Sequence, residues 1–205
     1  MRLIGMLDSP YVRRVAISLT LLDLPFTHES VSVFRHYDHF AGINPVVKAP
    51  TLVTDDGVVL MESTLILEHV ERLAHPARSL VPGDIGRHAQ HQRIVGLALA
   101  TCEKAVQIVY EHQLRPAEKQ HAPWIERVRG QLLAACRLLD DDVAGRSGWL
   151  LEDRPSQADI TTAVAFTFTR NMLPDMVGAG DFPALDAFTA RAEALPAFRA
   201  APYDG

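Results

Sequence analysis

Cysteine is scarce in this chain of 205 residues, which holds only Cys102 and Cys136. The two stand far apart in helix-like stretches. That excludes a disulfide framework, a CxxC redox centre and a Cys-based zinc site, and both read as buried, reduced thiols. No apolar run approaches the roughly 20 residues needed to cross a membrane. Asp8 ends the short N-terminal apolar run, so no signal peptide is expected. An excess of basic residues is also missing: 20 Lys and Arg face 25 Asp and Glu, for a formal net charge of −5. With its cations scattered, the chain lacks the electrostatic footprint of a nucleic-acid binder. Internal repeats and low-complexity tracts are absent. The remainder, 48% hydrophobic and 22% charged, is ordinary for a soluble globular protein, and the reduced thiols point to the cytoplasm. The length suits one large domain or two smaller ones.

The first 75 residues alternate strand and helix signals. Residues 2–6 read as a strand. Ser9-Pro10 then opens a helix, with serine as cap and proline at the first helical position. Val12, Val15, Ala16, Leu19 and Leu22 mark one face of it. A second strand is expected over 26–33, parallel to the first through a right-handed crossover. Residues 34–43 read as a loop with a short helix. Pro50 precedes a strand-like run over 51–54, Asp56-Gly57 signals a hairpin to 58–61, and a helix follows with Ser63 as its expected cap. A linker is expected over 76–86, and an all-helical region over 87–205. In that region Ser156 and Asp159 have the spacing of a capping box.

The run Asn44-Pro45-Val46-Val47-Lys48-Ala49-Pro50-Thr51-Leu52, the hairpin and then Glu62-Ser63 resemble the glutathione site of the glutathione S-transferase family. The resemblance covers essentially the whole chain. It implies the cytosolic transferase architecture: an α/β thioredoxin-like N-terminal domain and an all-α C-terminal domain. It also implies a cis bond before Pro50, a backbone contact from Ala49 to the cysteinyl unit of glutathione, and Glu62 and Ser63 at its γ-glutamyl end. Lys48 matches a family lysine at the glycyl end. Glutaredoxins carry Cys-Pro-Tyr-Cys where this chain has Ser9-Pro10-Tyr11-Val12, so thiol–disulfide exchange, which needs a thiolate, is lost. The Ser-Pro-aromatic form instead resembles the tau class and several bacterial transferases, in which this serine is catalytic. Ser9 as a helix cap alone is the competing reading.

The expected activity is therefore conjugation of glutathione, the co-substrate, to a small apolar electrophile, a detoxification chemistry. Tyr110, late in the long helix, is a candidate for the acceptor pocket, which the family forms between its domains. A homodimer is expected from the resemblance. The alternatives are a non-catalytic interaction protein on the same fold, or another glutathione-dependent enzyme such as an isomerase, dehalogenase or peroxidase. The pairs His36/His39 and His88/His91 have helical spacing, but no cysteine or carboxylate cluster completes either. No metal is expected, and one histidine of 34–43 is a further candidate to line the glutathione site.

Overall fold

The computed structural model describes residues 1–203. These form two compact units, one of residues 1–80 with the tail from Ala194 onward, the other of Val81–Glu193. The sequence division, at 75 and 87 with everything beyond 87 helical, differs in the tail, which groups with the first unit.

The first unit holds β1 (Arg2–Ile4), α1 (Pro10–Leu21), β2 (Thr27–Glu29), α2 (Tyr37–Ile43), β3 (Thr51–Val53), β4 (Val59–Met61) and α3 (Ser63–Leu73). The sheet order is β2-β1-β3-β4. β1 and β2 run parallel, as the crossover requires, and the other two pairings are antiparallel. This is the mixed sheet of a thioredoxin-like domain. Leu3 and Ile4 are both fully buried. Successive side chains on a strand point to opposite faces, so both faces of the sheet are covered. Ile4 packs with Phe40 of α2 and Val31. On the opposite side α1 and α3 pack against each other, burying Val12, Val15, Leu19, Ile66 and Val70. β2 is shorter than the expected 26–33, because its chain leaves the sheet after Glu29, where Val31 N–H turns back to the Glu29 carbonyl.

The tail adds α8 (Pro196–Arg199), which packs on α1. Arg13, only 1% exposed, ties the two: its Nε donates to the Ala201 carbonyl at 2.8 Å and its guanidinium lies over the Phe198 ring. A buried guanidinium without such partners would be costly.

The second unit is helical: α4 (Ile85–Gln113), α5 (Ala122–Val143), α6 (Gln157–Met172) and α7 (Pro183–Glu193), with a 3₁₀ turn at Ala117–Lys119. α6 lies at its centre, packed on α4 and α7, and nearly every residue from Gln157 to Thr169 is buried. Ser156 and Asp159 form the expected box. Asp159 Oδ2 accepts from the Ser156 amide and hydroxyl at 2.8 and 2.7 Å, and Oδ1 accepts from the Leu150 amide at 2.8 Å. Burial raises the Asp159 carboxyl above its ordinary value, outweighing the hydrogen bonds that act to lower it.

Candidate functional site

The site begins where β1 ends. Gly5 has φ +135°, and a Cβ there would lie 2.6 Å from a Val12 methyl and 3.2 Å from the Ala49 Cβ. Only glycine allows this conformation and this approach. The first turn of α1 and the Ala49-Pro50 segment thus converge on one point of the backbone. Ser9 caps α1, its Oγ accepting from the Val12 amide at a long 3.4 Å. Among the described residues nothing accepts the Ser9 hydroxyl hydrogen. The serine is partly exposed, so that hydrogen is available to a ligand beside the positive end of the helix.

Residues 44–50 form the next wall. Asn44, 2% exposed, donates from Nδ2 to Thr51 Oγ1 at 2.8 Å and accepts from the Val46 amide at 3.0 Å. The Thr51 hydroxyl donates in turn to the Lys48 carbonyl. The Ala49–Pro50 peptide is cis, as the family resemblance implies. Among the described residues neither the Ala49 N–H nor its carbonyl has a hydrogen-bond partner, so the backbone groups of one residue are left open. The Lys48 side chain is exposed and its ammonium has no partner among these residues.

β3 and β4 bring the third wall alongside. Thr51 pairs with Met61, so Pro50 and Glu62 follow one step beyond the ladder. Glu62 has φ 73° and ψ 116°, and its carboxylate accepts from the Thr64 amide at 3.1 Å. Glu62, not Ser63, is therefore the cap of α3. The expected assignment fails because Ser63 is already helical and its hydroxyl is engaged elsewhere. Arg14, 2% exposed, donates from Nη1 to Ser63 Oγ at 3.2 Å and to Thr64 Oγ1 at 3.4 Å. An arginine only donates, so the Ser63 hydroxyl accepts there and keeps its own hydrogen to give. A carboxylate and a cation-backed hydroxyl thus stand side by side at a helix N-terminus. Positive φ at the non-glycine residues Val47 and Glu62 costs about 1–3 kcal/mol each, and such strain concentrates at ligand sites.

Arg14 is the residue of this corner that the sequence does not single out. Its one signal was a charged pair, Arg13-Arg14, inside an otherwise apolar helix. His36 is structural: its Nδ1 accepts from the Ser32 amide. His88 and His91 stack on each other, and among the described residues no group of three His, Cys, Asp or Glu could hold a metal ion. Both cysteines are buried and no disulfide joins them, and burial pushes the Cys136 thiol up to about 12.

Tyr110 lies in the helical unit. With Leu114, Pro116 and Trp124 it lines a groove of about 520 Å³ between the end of α4 and the start of α5. Glu111, buried, holds that groove together. One of its oxygens accepts from Arg115 Nε at 2.9 Å and the other from the His121 amide at 3.0 Å.

Known proteins agree with this architecture. The N-terminal domain of glutathione S-transferases matches residues 3–78, and the C-terminal domain of the same family matches residues 122–200. A maleylacetoacetate isomerase of Pseudomonas aeruginosa is 29% identical over 203 residues, 92% of this chain and 89% of that protein. An uncharacterized GST-like protein of Escherichia coli, YibF, is 28% identical over 165 residues, 80% of each. The crystal structure of a glutathione S-transferase from Methylobacterium radiotolerans, in complex with glutathione sulfonate, superposes with a TM-score of 0.90. It is 28% identical and covers 100% of this chain and 95% of that one.

Proposed function

Since the chain belongs to the glutathione S-transferase family, we propose that it binds glutathione on its thioredoxin-like unit and conjugates the thiolate to a small apolar electrophile. The observation that carries this reading is the mixed-charge corner beside Pro50. The γ-glutamyl end of glutathione carries an ammonium and a carboxylate on one carbon. Glu62 takes the ammonium. Ser63 and the free amides at the start of α3, backed by Arg14, take the carboxylate. The open Ala49 backbone pairs with the cysteinyl unit, and Lys48 meets the glycyl carboxylate. This leaves the sulfur at Ser9.

Ser9 then donates its hydrogen to the sulfur. A free thiol of pKa about 8.5 is only a few per cent ionised at neutral pH. Lowering that value by about two units takes roughly 2.7 kcal/mol of preferential thiolate stabilisation. A hydrogen bond to a charged group gives about 1.5–3 kcal/mol, and the helix terminus adds about 0.3–1 kcal/mol. Serine and helix together suffice, with no general base. The thiolate attacks the electrophilic carbon, a C–S bond forms, and the leaving group departs with its bonding pair. The groove at Tyr110 holds the acceptor.

Calorimetric titration with glutathione tests the reading. Ser63→Ala should weaken binding by about 1–3 kcal/mol. No binding by the unaltered protein would favour a non-catalytic interaction protein instead. A second reading follows from the 29% identical relative: the same thiolate would serve a glutathione-dependent isomerase. Stoichiometry separates the two, because a transferase consumes one glutathione per product and an isomerase returns it. We further propose a cytoplasmic homodimer, with the exposed Glu68–Arg72 pair of α3 on an outer face. A monomer mass by light scattering at micromolar concentration would contradict this.

A further inference from the structure

We propose that the groove at Tyr110 selects a flat, apolar ligand bearing one anionic group, and that Lys119 reads the anion. This deepens the assignment above, from which it takes only the acceptor's place. The walls set the ligand's body. Tyr110, Leu114 and Trp124 are 45%, 56% and 44% exposed, large apolar side chains left open together in one groove. Two of them are aromatic, and aromatic faces favour a planar partner by offset or edge contacts. A volume of about 520 Å³ is within the usual range for small-molecule sites.

The charges set the ligand's sign. Three ionised side chains line the groove: Glu111, Arg115 and Lys119. Glu111 and Arg115 satisfy each other through the 2.9 Å ion pair. The second Glu111 oxygen is held by the His121 amide, so this carboxylate has no oxygen left without a donor. Lys119 is different: its ammonium has no partner among the described residues. It sits at the end of the 3₁₀ turn Ala117–Lys119, whose geometry is fixed by the Lys119 amide donating to the Pro116 carbonyl at 2.9 Å. Glu111 anchors both ends of this connection, at Arg115 and at His121, so the turn that carries Lys119 is held against the aromatic walls. The groove therefore has one uncommitted cation in its lining and apolar walls, complementary to an aromatic carboxylate or sulfonate. Lys119 is a specificity residue on this account, and a neutral electrophile would forgo its contact.

Calorimetric titration of the full chain with 2-naphthoate and with 2-naphthamide, without glutathione, tests this. The carboxylate should bind about fivefold more tightly than the amide at low salt, the upper range for an exposed ion pair. Lys119→Gln should abolish that preference and leave amide binding unchanged, and Lys119→Glu should reverse it. Leu114→Glu should weaken both, since it places a charge on an apolar wall of the groove. Equal binding of the two probes, or a preference indifferent to Lys119, would overturn the proposal. Because neither glutathione nor turnover enters the titration, its outcome is separate from the thiolate chemistry. Failure to bind glutathione would refute the transferase reading and leave a Lys119-dependent preference standing.

Discussion

Ser9→Ala separates the two roles open to this serine, because the structure gives them different magnitudes. As a cap, Ser9 accepts from Val12 N–H at 3.4 Å, well beyond the common 2.9–3.0 Å. The helix start is secured in other ways: Pro10 occupies the first helical position and is buried, and Val12 is fully buried. A typical cap is worth about 1 kcal/mol, and this long bond should fall below that. The unfolding midpoint in urea should therefore move only slightly. As donor to a bound thiolate, the same hydroxyl supplies about 1.5–3 kcal/mol, which corresponds to roughly one to two pKa units. The sign follows from which form is stabilised. The bond favours the thiolate, so its loss raises the pKa of bound glutathione toward the free value. The assay is the ultraviolet absorbance of the thiolate in the complex, followed against pH. Affinity at low pH, where the thiol is neutral, should be largely retained. An unmoved thiol pKa together with a loss of about 1 kcal/mol in stability would refute the reasoning and leave the serine as a cap. The thiolate would then have to be held by the backbone amides of the first turn.

Three further outcomes are expected. Gly5→Ala should destabilise the first unit by about 2–4 kcal/mol, combining forbidden backbone with overpacking against Val12, read as a lowered thermal midpoint. Asp159→Ala should cost about 2–4 kcal/mol, since it strands the Leu150 and Ser156 donors in a buried site; urea unfolding measures it. Because burial raises the folded-state pKa of Asp159, its titration favours folding most below the unfolded value, about 3.9. That contribution is lost as pH rises through the folded value, so the unaltered chain should lose stability relative to Asp159→Asn over that window. Cys136, with its thiol pushed up to about 12, should resist alkylation at pH 8 in the native state and react only on unfolding.

Local signals carried most of the fold into the sequence. Ser9-Pro10 and Asp56-Gly57 act through their own backbone geometry, and so they are readable in isolation. The cis bond before Pro50 was reachable only through a motif that spans 44–63, since its surroundings include Gly5, distant in sequence. Propensity puts the cap of α3 at Ser63, because serine is the better cap residue, whereas Glu62 takes that place. The strained φ of Glu62 and the Arg14 contact to Ser63 are tertiary facts that propensity does not register. Arg14 itself was invisible for the same reason: periodicity assigns an arginine to the solvent face, whereas here α3 packs over it. The Lys119 groove depends on Glu111 joining two stretches across a turn, which no window of sequence reports.

The tail's attachment to α1 bears on the order in which the chain can mature during synthesis. Residues 81–193 are contiguous, so the helical unit has all its parts as soon as Glu193 has left the ribosome. The thioredoxin-like unit does not, although its sheet is made first. Until Phe198 and Ala201 emerge, Arg13 lacks the ring and the carbonyl that receive it. The nascent first unit must therefore carry a guanidinium in a half-built pocket, one helix turn from Ser9, throughout translation of the second. A segment translated after the whole helical unit completes the first unit, and any glutathione binding by a nascent chain should appear only once that segment has emerged.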